Sequence, residues 1–334
     1  MMTIDTTMVW HELADKALEG LCPSEAECLA VLSADDDQLL SVLDAAFRVR
    51  REYFGRKVKL NMLLNAKSGY CPEDCGYCSQ SKLSSAPIDE YPMVDRSVIL
   101  EGAKAAMERR AGTYCIVCSG RGPTPKQLDI IEDAVREIKA TTPLKICACL
   151  GLLKDGDAQR LEAAGVDRYN HNINTSAGHH DSITKTHTYD DRVDTVEKVK
   201  DAGISPCSGV IVGMGETDED IVQMAYALRR LDADSIPVNF LHAVAGTPLG
   251  DQKPLPPAKY LKILAMFRFV CPTKEIRASG GREVSLRSLQ PLALYAANSI
   301  FVGDYLTTPG QAIEADHRMI EDMGFEIEEF CEDA

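Results

Sequence analysis

A chain of 334 residues, 45% hydrophobic and 26% charged, has ample material for a globular core and a length that one α/β barrel commonly fills. Its 51 acidic residues against 36 basic ones give a formal charge of −15. That field repels phosphate backbones and no dense Lys/Arg cluster offsets it, so no nucleic-acid partner is expected. The stretch Met1-Met-Thr-Ile-Asp-Thr6 lacks a basic region followed by an apolar one, and no apolar run is long enough to span a bilayer. The expected setting is cytoplasmic and away from the membrane. There the 12 cysteines are expected to be metal ligands and ordinary thiols rather than disulfides.

Residues 1–50 read as an N-terminal helical extension. Apolar positions recur at three- and four-residue steps over 12–18 and 36–50, and Pro23-Ser-Glu25 marks a helix start between them. Cys22 and Cys28 lie here and read as small apolar fillers. From Lys57 onward a short β-rich run followed by a longer amphipathic run recurs eight times. Strands are expected at 58–65, 113–119, 145–151, 168–174, 205–213, 235–243, 275–281 and 299–303. Helical patterns cover 96–110, 125–140, 157–164, 190–202, 219–231, 257–270 and 283–298. Gly112, Gly165 and Gly203 stand where helices should end. The alternation predicts a parallel sheet with right-handed crossovers, and eight units fit a closed (β/α)8 barrel of the TIM type over 51–310. A doubly wound open sheet is the structural alternative. Residues 311–334 are expected to form a C-terminal helix and acidic tail, the part from Glu326 being a short helix or frayed and Cys331 incidental.

Directly after the first expected strand, Ser68-Gly-Tyr-Cys-Pro-Glu-Asp-Cys-Gly-Tyr-Cys-Ser-Gln-Ser81 places Cys71, Cys75 and Cys78 in a C-x3-C-x2-C spacing. Barrel chemistry sits on the loops after the strands, so this is where the fold would put a catalytic centre. Three neighbouring thiolates hold one metal centre from one side and leave a coordination position open. A closed zinc site needs four protein ligands, and the nearest other cysteines, Cys28 and Cys115, are distant in sequence. The spacing points to an iron–sulfur cube with one iron left for substrate. A zinc loop completed from a distance and a redox thiol cluster are the alternatives.

Later strands carry Cys115, Cys147, Cys149 and Cys207. One face of every barrel strand points inward, and several strands each offering a cysteine to one interior suggest a second metal centre, since barrel cores otherwise favour Val, Ile and Leu. Cys147 and Cys149 share parity, so periodicity does not choose between them. Cys118 should point to the other face or lie past its strand end. As small buried residues all of these could also be plain core. Arg277 adds a cation that should pair with a carboxylate. At the fourth strand's end Asn170, Asn172 and Asn174 share a face suited to sugar hydroxyls or an amide-bearing ligand, or to capping the next turn. His171 falls on the opposite face and reads as structural, while His179, His180 and His187 read as loop surface. Gly209-Val-Ile-Val-Gly-Met-Gly-Glu216 ends the fifth strand, its glycines letting backbone approach a ligand.

Together, Cys71-Pro-Glu-Asp-Cys-Gly-Tyr-Cys78, Tyr169-Asn-His-Asn172, Cys207-Ser-Gly-Val-Ile-Val-Gly-Met-Gly-Glu-Thr217, Arg277-Ala-Ser-Gly-Gly-Arg282 and Ala297-Asn-Ser-Ile-Phe-Val-Gly303 closely resemble the biotin synthase family of the radical S-adenosylmethionine superfamily, over residues 55–310. The resemblance implies a homodimeric barrel enzyme that converts dethiobiotin to biotin, reduced by an electron-donor protein of flavodoxin or ferredoxin type. It implies that Cys71, Cys75 and Cys78 hold a [4Fe–4S] cluster whose open iron takes S-adenosyl-L-methionine. Cleavage of that cofactor yields a 5′-deoxyadenosyl radical, which abstracts hydrogen twice from dethiobiotin. Cys115, Cys147, Cys207 and Arg277 match the ligands of an auxiliary [2Fe–2S] cluster, the sulfur donor, which also selects Cys147 over Cys149. Tyr77 is implied near the adenine, Asn172 and Asn174 at the ribose or dethiobiotin, and Gly213 to Glu216 near S-adenosyl-L-methionine. Asn174 stands where many relatives carry aspartate, which makes its contact neutral rather than charge-assisted. Cys118 and Cys149 are additional thiols, either able to ligate an auxiliary cluster of another type. Rival readings are a maturase or carbon-skeleton rearranging enzyme on the same barrel, and a non-catalytic zinc-binding scaffold.

Overall fold

The computed structural model describes residues 6–330; the N-terminal residues 1–5 and the tail end with Cys331 lie outside the described residues. Three helices come first, α1 (Thr6–Leu18), α2 (Glu25–Ser33) and α3 (Leu39–Phe54). The helix start at Pro23-Ser-Glu25 is a capping box. The Glu27 amide donates to Ser24 Oγ at 3.4 Å and the Ser24 amide to Glu27 Oε2 at 2.6 Å. Cys28 is buried, as a filler should be, but Cys22 is exposed and fills nothing.

The barrel follows: β1 (Lys57–Lys67), α4 (Arg96–Glu108), β2 (Thr113–Cys118), α5 (Pro125–Thr141), β3 (Lys145–Cys149), α6 (Asp157–Ala164), β4 (Arg168–Asn170), α7 (His180–Ile183), α8 (Tyr189–Asp201), β5 (Ser205–Cys207), β6 (Val210–Val212), α9 (Asp218–Leu231), β7 (Ser235–Phe240), α10 (Pro257–Val270), β8 (Glu275–Ala278), α11 (Arg282–Leu286) and β9 (Ser299–Phe301). All neighbouring strands are parallel, and β1 pairs with both β2 and β9, so the sheet closes. β5 and β6 occupy one barrel position, which makes eight positions and excludes the open sheet.

Alternation within the strands sorts the residues. Ile236, Val238, Ile276, Ala278 and Ile300 join the apolar layer beneath the helices, while Pro237, Asn239, Arg277 and Phe301 face the interior. Helix α10 is apolar on nearly every side, from Tyr260 to Val270, because α2 and α3 cover the face that would otherwise meet solvent. The helical extension is therefore part of the barrel's wall.

Four expectations are corrected. The fifth strand is broken at Ser208-Gly209, because the Pro237 backbone presses so close that a β-carbon on Gly209 would collide with its carbonyl oxygen. The fourth strand is regular only to Asn170; beyond it Asn174 adopts a left-handed φ of 68° and meets Val210 in an isolated bridge. The 283–298 helix is a short α11 followed by a 3-10 stretch, Arg287–Tyr295, containing Pro291, which lacks the amide a continued helix needs. The C-terminal helix is present as α12 (Ile313–Asp322), but Glu326–Ile327 form β10, paired with Lys57–Val58, rather than a helix or frayed end. Phe325 and Ile327 are buried there, and that apolar burial anchors the segment.

Candidate active site

A cavity of about 410 Å3 opens at the C-terminal ends of the strands. Cys71, Cys75 and Cys78 line it, together with Cys115, Cys118, Cys147, Cys149 and Arg277. Two groups of thiols far apart in sequence thus border one space.

The cysteine loop is held by its own acidic residues. Asp74 Oδ1 accepts from Thr184 Oγ1 at 2.6 Å, from the Lys185 and Thr186 amides at 3.0 and 3.1 Å, and from Thr186 Oγ1 at 2.9 Å. Glu73 Oε2 lies 2.5 Å from His187 Nδ1, and Arg121 Nη1 lies 3.2 Å from Glu73 Oε1. The Gly76 amide donates to the Ile183 carbonyl at 2.9 Å. The loop after β4 therefore clamps the loop after β1. Burial raises the Cys71 and Cys75 thiols above their ordinary value and pushes Cys78 up to about 12. A thiolate at these positions needs an adjacent positive centre, which bound iron provides. Among the described residues, no three His, Cys, Asp or Glu side chains are grouped to hold a single metal ion. A cluster asks for something different, since each thiolate meets its own iron.

Deeper in, register sets the second group. Cys115 on β2 sits opposite Cys147 on β3, and Asn170 on β4 opposite Cys207 on β5. Cys115 and Cys207 both act on the Cys147 thiol, which burial helps to hold well above its ordinary value, and Asn170 Nδ2 donates to Cys207 Sγ at 3.2 Å. Register pairs Cys147, not Cys149, with Cys115. Cys149 ends β3 nearer the mouth, where burial pushes its thiol up to about 12. Cys118 ends β2 at the cavity wall, its Sγ 3.5 Å from Met93 Sδ. Arg277 pairs with a carboxylate as expected, its Nη2 2.6 Å from Glu275 Oε1, and its guanidinium lies 4.9 Å from the Phe301 ring centroid. These thiols and the guanidinium are a donor set that an auxiliary iron–sulfur cluster fits.

The asparagines lie on the same cavity. Asn172 Oδ1 accepts from Asn170 Nδ2 at 3.1 Å and from the Gly209 amide at 3.0 Å. With its amide oxygen turned inward, Asn174 accepts from Tyr77 Oη at 2.6 Å and from Arg192 Nη2 at 3.0 Å. Tyr77, Asn172 and Asn174 are thus brought together. Gly213 and Glu216 do not face the cavity; the Glu216 carboxylate turns back to accept from the Gly213 and Met214 amides at 2.6 and 2.7 Å. That bend seats Met214 against Ile183 and Leu241, with Tyr77 packed on them.

Several residues differ from expectation. His171 lines the cavity instead of facing away, because strand alternation stops at Asn170. His180 and His187 are buried rather than loop surface, and His187 also lines the cavity. Burial, seconded by Arg192, holds the His187 imidazole below its ordinary value, so it meets Glu73 as a neutral donor. Arg192, which also donates to the Asn172 carbonyl at 2.9 Å, and Arg121 went unnoticed in the sequence. Glu73 and Asp74, inside the cysteine motif, were the available signal for partners in the next loop.

Residues 66–227 match the Radical SAM superfamily, and residues 237–326 match the Biotin and Thiamin Synthesis associated domain. Biotin synthase of Halalkalibacterium halodurans is 66% identical over 321 residues, 96% of each chain. The chain belongs to the biotin synthase family. Biotin synthase of Bacillus licheniformis is 64% identical over 319 residues, again 96% of each chain. Among solved structures, methylornithine synthase superposes with a TM-score of 0.81 at 21% identity, covering 95% of this chain and 97% of that one. The [FeFe]-hydrogenase maturase HydG from Carboxydothermus hydrogenoformans gives 0.80 at 17% identity, covering 98% and 81%. At such identities these structures show the shared barrel fold alone.

Proposed function

We propose that this chain is a sulfurtransferase that inserts sulfur into dethiobiotin to form biotin. The observation that carries the reading is that Cys71, Cys75 and Cys78 at the mouth and Cys115 and Cys147 within the barrel line a single cavity, with Cys207 buried behind them. Cys71, Cys75 and Cys78 would hold a [4Fe–4S] cluster, and Cys115, Cys147, Cys207 and Arg277 an auxiliary [2Fe–2S] cluster. When bound, the first with S-adenosyl-L-methionine supplies a 5′-deoxyadenosyl radical, and the second supplies sulfur.

The protein's own residues do the rest. Glu73 and Asp74 fix the cysteine loop on residues 184–187, so the three thiols keep their spacing as the cavity fills. Tyr77, Asn172 and Asn174 offer an aromatic ring, amide donors and amide acceptors to the nucleoside or to the ureido ring of dethiobiotin. Gly213 and Glu216 act near the same subsite through the bend they hold just after β6, whose Ile211 lines the cavity. Leu63, Val117, Ile211, Leu241 and Phe301 line the walls with apolar surface and exclude water from a reactive carbon radical.

A homodimer, an electron-donor protein of flavodoxin or ferredoxin type and a cytoplasmic setting complete the proposal. So does the division into an extension (1–50), a barrel (51–310) and a C-terminal part (311–334). Among the described residues no helix is long and apolar enough to cross a membrane. The test is a pair of variants in reconstituted enzyme. Cys75→Ala should abolish S-adenosyl-L-methionine cleavage, and Cys207→Ala should spare that cleavage but block biotin formation. Continued 5′-deoxyadenosine release by the first, or undiminished biotin yield from the second, contradicts the assignment.

A further inference from the structure

The loops around the cavity mouth differ in how they are held. Besides its clamp through Asp74, the cysteine loop is bonded to two neighbours through the backbone: the Gly76 amide donates to the Ile183 carbonyl at 2.9 Å, and the Leu249 amide to the Gly76 carbonyl at 3.0 Å. The loops after β2 and β3 stand locked back to back. The Leu152 amide donates to the Arg121 carbonyl at 2.7 Å, and a β-carbon on Gly122 or Gly151 would strike the facing backbone. Residues 303–310, after β9, are held differently. Tyr305, Leu306, Thr307 and Thr308 line the cavity, yet among the described residues this segment makes no backbone–backbone hydrogen bond to another loop.

Its backbone bonds are turned inward. The Tyr305 amide donates to the Thr308 carbonyl at 3.0 Å and the Gly310 amide to Asp304 Oδ1 at 3.2 Å. Its two ends touch: Gly303 has a left-handed φ of 78°, and a β-carbon on Gly310 would collide with the Gly303 carbonyl oxygen. A compact loop on a narrow glycine neck can move as a unit without disturbing the strand before it. Three contacts through side chains hold it down. Asn65 Nδ2 donates to the Leu306 carbonyl at 2.8 Å, the Ser79 and Thr307 hydroxyls are 2.8 Å apart, and Tyr305 Oη donates to Glu283 Oε2 at 2.9 Å. Glu283 is steadied in turn by Arg282, whose Nη2 is 3.2 Å from Glu283 Oε1 and 2.9 Å from Oδ1 of the fully buried Asp316 on α12.

We propose that residues 303–310 are the door of the cavity: the loop swings on its Gly303–Gly310 neck to admit dethiobiotin and release biotin, and the Tyr305–Glu283 bond, anchored on α12 through Arg282 and Asp316, is its latch. The inference rests on the reading of this cavity as the dethiobiotin site. Glu283 does not line the cavity, so the latch acts on passage and not on the chemistry.

The experiment compares the cluster-loaded enzyme with its Glu283→Ala variant in two ways, by hydrogen exchange of the 303–310 segment and by chase of bound, labelled dethiobiotin. Loss of a charge-assisted bond from a locally opening loop should speed exchange there about tenfold and leave segments 70–78 and 120–124 unchanged. Release of dethiobiotin should speed by a similar factor. In the unsubstituted enzyme, saturating dethiobiotin should slow exchange of the loop. Unchanged exchange in the variant overturns the proposal, and so does faster exchange with unaltered release, which would mean that the loop moves but is not the door. If Glu283→Ala does not hold its clusters, Tyr305→Phe, which removes the same bond from the other side, is read in the same way. An unsubstituted enzyme that binds no dethiobiotin removes the proposed function and this inference with it, whereas binding with equal release from both enzymes removes this inference alone.

Discussion

Asp74→Ala is the substitution that most directly probes how the cysteine loop is held. The carboxylate sits between Glu73 and Cys75 and accepts four hydrogen bonds from residues 184–186, two of them from backbone amides. A net contribution of about 1 kcal/mol per bond gives about 4 kcal/mol, and partial exposure of the group brings this to about 2–3 kcal/mol. That energy holds two loops together rather than the whole fold, so it should appear as local opening. Hydrogen exchange of the Lys185 and Thr186 amides should accelerate by about 30- to 150-fold, with the midpoint of global unfolding nearly unchanged. Iron retention after anaerobic gel filtration should fall, because Cys75 loses the anchor of its neighbour. Asp74→Asn, which keeps an acceptor oxygen, should show about a third of the effect. Unchanged exchange at Lys185 and Thr186 in the Ala variant would show that the clamp does not hold the loop.

Gly209→Ala should destabilise the fold by at least about 1–3 kcal/mol in urea titrations, because a β-carbon there meets the Pro237 backbone and the break between β5 and β6 cannot relax. Asn174→Asp should tighten S-adenosyl-L-methionine binding severalfold in equilibrium titrations, since Arg192 Nη2, 3.0 Å away, would face a carboxylate; no change would detach Asn174 from that subsite. Asp220 caps α9 through Thr217 and accepts from Ser176 Oγ at 2.5 Å. Burial opposes its ionisation, but the bonds from Ser176 and Thr217 prevail and hold the carboxyl below its ordinary value. Its stabilisation is therefore present above the unfolded-state value and lost as pH falls through the lower folded one. Asp220→Asn should cost about 1 kcal/mol at neutral pH, a gap that narrows below about pH 4 in urea midpoints.

The elements readable from the sequence are those fixed by local rules. Pro23-Ser-Glu25 opens α2 because a capping box needs only four residues, and 157–164 and 257–270 are the observed α6 and α10 because their bounds are set by Gly165 and by Pro257. The inward placement of Cys115 and Cys147 follows from period-two alternation. What stayed hidden depends on contacts distant in the chain. The break at Gly209 is imposed by Pro237, the burial of His187 by Glu73, and the β10 strand by the open edge of β1 at Lys57–Val58. His171 was misplaced because parity was carried four residues past the last regular strand residue, Asn170, to Asn174.

The central claim is that one chain carries two different iron–sulfur centres on one cavity. Mössbauer spectroscopy of anaerobically prepared, 57Fe-reconstituted protein counts them directly. A four-iron and a two-iron signature in equal amounts, about six irons per chain, is the predicted result. Loss of the two-iron signal alone in Cys207→Ala should accompany it. A single cluster type, or colourless protein holding one zinc per chain, would contradict it.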